Sequence, residues 1–324
     1  MYLTRLSTIA LLVVLLSSYA FAQFEKEAGK IVSHNAMMPA PAGSDKLAFL
    51  RMDEKVPGAP LELYLLELAT GKETRLLPGV NFNEQPTYAF AFSPSGNEFV
   101  VPVKGTKGAW DLFKYTVGSR TGTQIGDLSP YVDVPSPEVI RSLNLDKSSL
   151  LQITDLSWSP SGKRLIFSMM RLDRSAIWWI DLATGRARQA TEDKTGYWGA
   201  FHPDDERFCY TDNIIQEGIS TSEGIVLRSI ASGDVDTLLN TKDNEFAGTI
   251  SSDGKFLAYN RNVNNTNNVW VYNLATRESR ALTNSTGGKH CAYPKWSPDG
   301  KKIYFQGNGF EKQTVVFVRD FIPF

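Results

Sequence analysis

Beyond the first 22 residues, the apolar residues of this chain fall mostly in short runs, cut at regular intervals by Ser, Pro, Asp and Gly. That is the patterning of strands and tight turns rather than of helices. Five segments share one form: Phe92-Ser93-Pro94-Ser95-Gly96, Trp158-Ser159-Pro160-Ser161-Gly162, Phe201-His202-Pro203-Asp204-Asp205, Ile250-Ser251-Ser252-Asp253-Gly254 and Trp296-Ser297-Pro298-Asp299-Gly300. Each leads into a new apolar run, such as Leu165-Ile166-Phe167 or Ile303-Tyr304-Phe305, and a degenerate sixth copy, Pro41-Ala42-Gly43, leads into Leu47 to Leu50. The physics is that of a hairpin. A large apolar residue ends one strand, Pro presets φ for the bend, and Gly closes the turn by accepting positive φ.

A second repeated segment follows the hairpins. Leu63 to Gly71 matches Ile177 to Gly185 and Val269 to Arg277 in character, with looser copies at Ile225 to Gly233 and Leu112 to Thr116. These read as third strands ending in a turn, followed by short fourth strands such as Thr74 to Leu77 and Ala187 to Ala190. Four strands per unit at a spacing near 45 residues are the mark of propeller blades. The intervals between aligned hairpins are 66, 43, 49 and 46 residues, and the long one holds an insertion over residues 129–150. At about 22 residues that insertion is too short for another four-stranded blade, so the expectation is an all-β, six-bladed β-propeller, with seven as the competing count. Within it, Ser136-Pro137-Glu138 reads as a helix start, and the insertion is expected to cover part of the central opening. The last unit stops after a third strand, Val315 to Val318. The segment Ala28 to Val32 resembles a fourth strand, so it is expected to complete the last blade and protect the edges of the ring.

The first 22 residues read as an export leader. Arg5 is followed by the apolar run Ile9 to Leu16 and by Ala20-Phe21-Ala22, a small-residue cleavage signal. Residues 23–324 are then expected to form one propeller domain, periplasmic or secreted, with no membrane span, since the apolar run falls short of the roughly 20 residues a span needs. With Arg5 removed, 33 basic residues face 35 acidic ones, a net charge of about −2. No basic stripe marks a nucleic-acid partner. Cys209 and Cys291 fall in non-adjacent blades and are expected to be buried free thiols rather than a bridge. The sequons at Asn264-Asn265-Thr266 and Asn284-Ser285-Thr286 are read as turn residues.

Trp296 to Phe305, and Trp158 to Phe167 followed by Ile177 to Gly185, resemble the TolB-like β-propeller family with its PD40, or WD40-like, repeats. The resemblance covers nearly all of residues 23–324 and implies the fold; it fixes no ligand, because the repeat residues are turn and core residues. TolB itself carries an α/β domain ahead of its propeller, and here only Gln23 to about Pro39 precede blade one, so that domain is not expected.

Strand order places the Ser-Pro hairpins on one face of the disc, and the loops between second and third strands, with the blade connections, on the other. That variable face includes the 129–150 insertion. The innermost strands begin beside the channel there, and their leading positions supply Glu84, Asp155, Trp198, Glu245 and His290 as the candidate channel-mouth site. Aromatic and carboxylate groups converging there would suit a sugar or a peptide end, and Asp155 with Glu245 would offer a carboxylate pair for acid–base work. The plainer expectation is that the aromatics pack between blades and the carboxylates are solvated. Three histidines, His34, His202 and His290, lack metal-ligand spacing, and no nucleophile elbow, P-loop or dinucleotide-binding glycine set occurs. No metal or cofactor is expected. The leading reading is an exported, non-catalytic binding or scaffold propeller that engages a protein or an envelope component through its variable face. The alternative is a saccharide or small-molecule site, enzymatic or not, in the central channel.

Export predicts a discrete mature start. Intact-mass analysis of protein recovered from outside the cytoplasm should give a chain beginning at Gln23; a chain that retains residues 1–22 would show that the leader is an anchor.

Overall fold

The computed structural model describes residues 29–324 apart from 54–55, 57, 83–87, 105–109, 127, 129–151, 172–173, 193–195, 217–218 and 309–313. The expected export leader, Glu84, and the 129–150 insertion with its expected helix start lie outside the described residues.

The described residues form six four-stranded antiparallel sheets and no α-helix. The chain enters with β1 (Lys30–His34). Blade one holds β2 (Ala36–Pro41), β3 (Lys46–Met52), β4 (Leu61–Glu67) and β5 (Glu73–Leu76). Blade two holds β6 (Ala91–Phe92), β7 (Glu98–Lys104), β8 (Trp110–Thr116) and β9 (Thr123–Gln124). Blade three is β10 (Gln152–Trp158), β11 (Arg164–Arg171), β12 (Arg174–Asp181) and β13 (Ala187–Gln189). Blade four is β14 (Tyr197–Phe201), β15 (Arg207–Gln216), β16 (Ile219–Ser229) and β17 (Val235–Leu239). Blade five is β18 (Asn244–Ile250), β19 (Phe256–Val263), β20 (Thr266–Asn273) and β21 (Ser279–Ala281). Blade six has β22 (Cys291–Trp296), β23 (Lys302–Asn308) and β24 (Thr314–Asp320), and takes its fourth strand from the other end of the chain.

That fourth strand is β1, paired with β24 from Lys30↔Val318 to His34↔Val315. The expected closure is present, and its packing explains why it holds. Ile31 packs into the apolar cluster between blades five and six, and Val32 into the one between blades six and one. Among the described residues the core is six such clusters, each shared by two neighbouring blades. The innermost strands contact one another in turn around the ring, β22 returning to β2.

The hairpin motif works through its serine. Ser93, Ser159, Ser251 and Ser297 each accept, at the hydroxyl, the backbone N–H five residues on, at 3.1, 3.1, 3.0 and 2.9 Å. In the one copy with histidine, the carboxylate of Asp204 takes over and accepts from Arg207 N at 3.1 Å. Cys209 and Cys291 are buried free thiols, and Asn264 and Asn265 form the β19–β20 turn with φ of 51° and 60°.

Two glycines with the same φ of +71° separate backbone strain from crowding. A Cβ on Gly71 would meet nothing within 4 Å, whereas on Gly96 it would lie 2.5 Å from Ala42 carbonyl atoms in the neighbouring blade's hairpin. Gly71→Ala should therefore cost only the left-handed strain, about 1–2 kcal/mol, and Gly96→Ala about 1–3 kcal/mol more from overpacking. Thermal melting should rank Gly96→Ala well below Gly71→Ala; equal melting temperatures would show that the hairpins do not pack edge to edge.

Candidate functional site

The centre of the ring is a channel of about 1330 Å³, lined by the inner strands and by the hairpin prolines Pro94, Pro160, Pro203 and Pro298. Its chemistry is set by a backbone irregularity. Among the described residues five inner strands, those of blades one and three to six, slip register against their neighbour, and inside each slip one non-glycine residue turns left-handed: Met38, Asp155, Trp198, Ala247 and Tyr293, with φ of 53–57°. A β-bulge of this kind bends the strand and re-aims a side chain. Because the strain recurs at one height in five blades, it belongs to the bending of the inner strands, and its consequence is that Asp155, Trp198 and Tyr293 stand at one level of the lumen.

Trp198 is the hub of an aromatic wall. Its ring lies 4.8 Å from Tyr197, 5.0 Å from Phe246 and 6.1 Å from Tyr293, which brings in blades four, five and six. The Tyr197 hydroxyl donates to Glu223 at 2.5 Å, and burial, then this carboxylate, pushes its pKa upward. Against the wall sits Asp155 from blade three. Its Oδ2 accepts from the Thr154 hydroxyl at 2.7 Å and from Trp198 N at 3.3 Å.

A second charge completes the lining. Lys295, in β22 of the opposite blade, lies two residues further along its strand than Tyr293, roughly 6 Å deeper. Asp155 and Lys295 are partly open to the lumen yet walled in by protein. Burial raises the Asp155 pKa against its hydrogen bonds and the Lys295 charge, and burial lowers the Lys295 pKa against the attraction of Asp155. Behind the wall, burial pushes the Cys209 thiol up to about 12, with Lys295 acting the other way.

Of the five residues expected at the mouth, Asp155 and Trp198 come together on the channel lining. Glu84 lies outside the described residues. Glu245 is fully buried away from the lumen: it accepts from Thr241 N at 3.2 Å and from the Thr241 hydroxyl, and faces Arg261 at 3.6 Å. The carboxylate pair of Asp155 with Glu245 is therefore not formed, and Asp155 is the one carboxylate on the described lining. His290 also stands off the lining, its Nδ1 accepting from Asn267 N at 3.2 Å. Nor is Asp155 a solvated surface carboxylate. Among the described residues no three His, Cys, Asp or Glu side chains gather as a metal site.

Sequence reasoning missed Lys295, although the repeat carried a signal for it. The residue before the large apolar anchor of the hairpin is Ala40, Ala91, Ser157, Ala200 and Thr249 in the other blades. A lysine there breaks the pattern.

Comparison with known proteins follows the same architecture. The PD40 family, the TolB beta propeller domain, matches residues 152–317. No curated protein matches the chain by sequence. Among solved structures, TolB from Acinetobacter baumannii superposes with a TM-score of 0.60 at 16% identity, over 86% of this chain and 66% of that one, so this chain spans just under two thirds of its length. A putative TolB from Agrobacterium tumefaciens gives 0.59 at 15% identity, over 88% and 90%. An oligogalacturonate lyase in complex with manganese gives 0.57 at 12% identity, over 90% and 92%. At these identities the similarity is one of fold.

The charges across the lumen predict a measurable coupling. An opposite charge favours ionisation, so replacing Lys295 with Met should raise the Asp155 pKa further. A carbon-detected NMR titration of the Asp155 carboxyl reads this directly, and an unchanged midpoint would show that the two groups do not interact.

Proposed function

The chain belongs to the TolB beta-propeller family, and on that premise we propose that it is an exported, non-catalytic binding propeller. It works outside the cytoplasm, in the periplasm or after secretion, and engages a protein or another envelope component from its variable-loop face, with the mouth of the central channel as the recognition site. The observation that carries this reading is the convergence of Trp198, Tyr293 and Asp155 at one height in the lumen. The strand β14 starts on the face that carries the blade connections, and Trp198 is its second residue, so the aromatic wall is reached from that side. Aromatic surface with a fixed carboxylate at its edge is the composition of binding hot spots.

A second reading, a saccharide or small-molecule site in the same lumen, is favoured by the depth of Lys295, which only a group entering the channel reaches. For an enzymatic version, acid–base chemistry would need a partner for Asp155, and the described lining supplies no second carboxylate.

The test is affinity capture from detergent-solubilised envelopes with the exported protein and with Trp198→Ala. A component held by the wild type should be retained at least tenfold less by the variant, in keeping with the loss of a buried aromatic anchor worth about 2 kcal/mol or more. Equal retention would move the binding site away from the channel.

A further inference from the structure

Lys295 sits where five other blades place Ala, Ser or Thr on the channel lining. A long cationic side chain at that position gives up hydration, and burying a charge is unfavourable unless a partner compensates it. Within the protein that compensation is incomplete. The electrostatic partners of Lys295 are Asp155 and the Cys209 thiol, and among the described residues no hydrogen bond or ion pair holds the ammonium. Asp155 is likewise fixed without a cationic contact: its carboxylate is oriented by the Thr154 hydroxyl and by Trp198 N, and stays at the edge of the aromatic wall.

The lumen thus holds two opposite charges, from opposite blades, that attract each other without closing into an ion pair among the described residues, both partly open to the channel. Around Asp155 the surroundings suit a cation, because the aromatic residues Trp198 and Tyr293 line the channel beside the carboxylate. Around Lys295 they suit an anion. A ligand with one charge of each sign would give both groups a direct partner at once, whereas a neutral sugar would use the wall and leave Lys295 with only the attraction of Asp155 and Cys209.

We propose that the channel takes a small zwitterion, its cationic group against Trp198 and Tyr293 beside Asp155 and its anionic group on Lys295. This rests on reading the channel as the recognition site, and it names the ligand chemistry of that site.

The experiment is calorimetric titration of the exported protein, near neutral pH and at low salt, with γ-aminobutyrate and its longer ω-amino acid homologues. Alkylamines and alkanoates of the same lengths serve as single-charge controls, cellobiose as the neutral control, and the part of the tryptophan fluorescence change that Trp198→Phe removes, taken as the Trp198 signal, as a second readout. One chain length should bind at least tenfold tighter than either single-charge control. Lys295→Met and Asp155→Asn should each bring the zwitterion down to the single-charge level, and Lys295→Arg should restore most of the loss, with unchanged melting temperatures showing that the variants fold. Equal binding of zwitterion and single-charge analogues, or a Lys295→Met variant that binds the zwitterion as the wild type does, would overturn the proposal. If cellobiose or the captured envelope component quenches Trp198 while no zwitterion does, the ligand chemistry is wrong and the channel reading stands. If captured material binds and neither quenches Trp198 nor depends on it, the channel reading fails and the proposal with it.

Discussion

A ring of sheets has to dispose of two edges, the first strand of the chain and the last, and here one pairing does both. β1 bonds along β24, so blade six is built from the two ends of the described chain. Six apolar clusters sit between neighbouring blades and none is confined to one, so every blade is stable only as its neighbour's partner. Breaking the β1–β24 pairing would expose an unpaired strand edge and uncover the Ile31 and Val32 contacts that seal the clusters on both sides of blade six. The channel inherits its rigidity from this closure.

Given a closed ring, the bulges determine what the channel can do. The same left-handed turn recurs in five inner strands, so the height of the lining residues is fixed by architecture and their identity is free to vary. At that height the chain places Met38, Asp155, Trp198, Ala247 and Tyr293, and just below it Lys295. Three blades thus contribute the aromatic hub, its carboxylate and a second ring, and two contribute little more than space. The asymmetry is what the proposed binding site rests on.

The repeat made the fold legible. The Ser-Pro-Gly hairpins, the third strands and the missing fourth strand of the last unit were enough to infer six blades and the strand that closes them, because each is a local pattern with a local cause. The site was legible only in part, and the reason is a counting one. Asp155 and Trp198 stand three residues before their hairpin anchors, Trp158 and Phe201, but Glu245 and His290 stand five and six before theirs. Counting from the start of each strand puts all four at the mouth; counting back from the anchor, past the bulge, selects Ala247 and Tyr293 instead. Glu245 therefore faces Thr241 and Arg261 rather than the lumen. Lys295 escaped notice because a lone lysine in a strand is ordinary, and it stands out only when the six repeats are aligned on their anchors.

The central claim is that recognition takes place inside the lumen and not on the outer surface of the disc. Hydroxyl-radical footprinting of the protein, with and without native envelope extract, tests it most directly. The account predicts protection of Trp198 and Tyr293 with no change at Phe321 and Phe324, neither of which is on the described channel lining; Phe324 packs against Phe256, and Phe321 lies behind the lining residue Trp296. Protection at Phe321 and Phe324 with Trp198 and Tyr293 unchanged would contradict it.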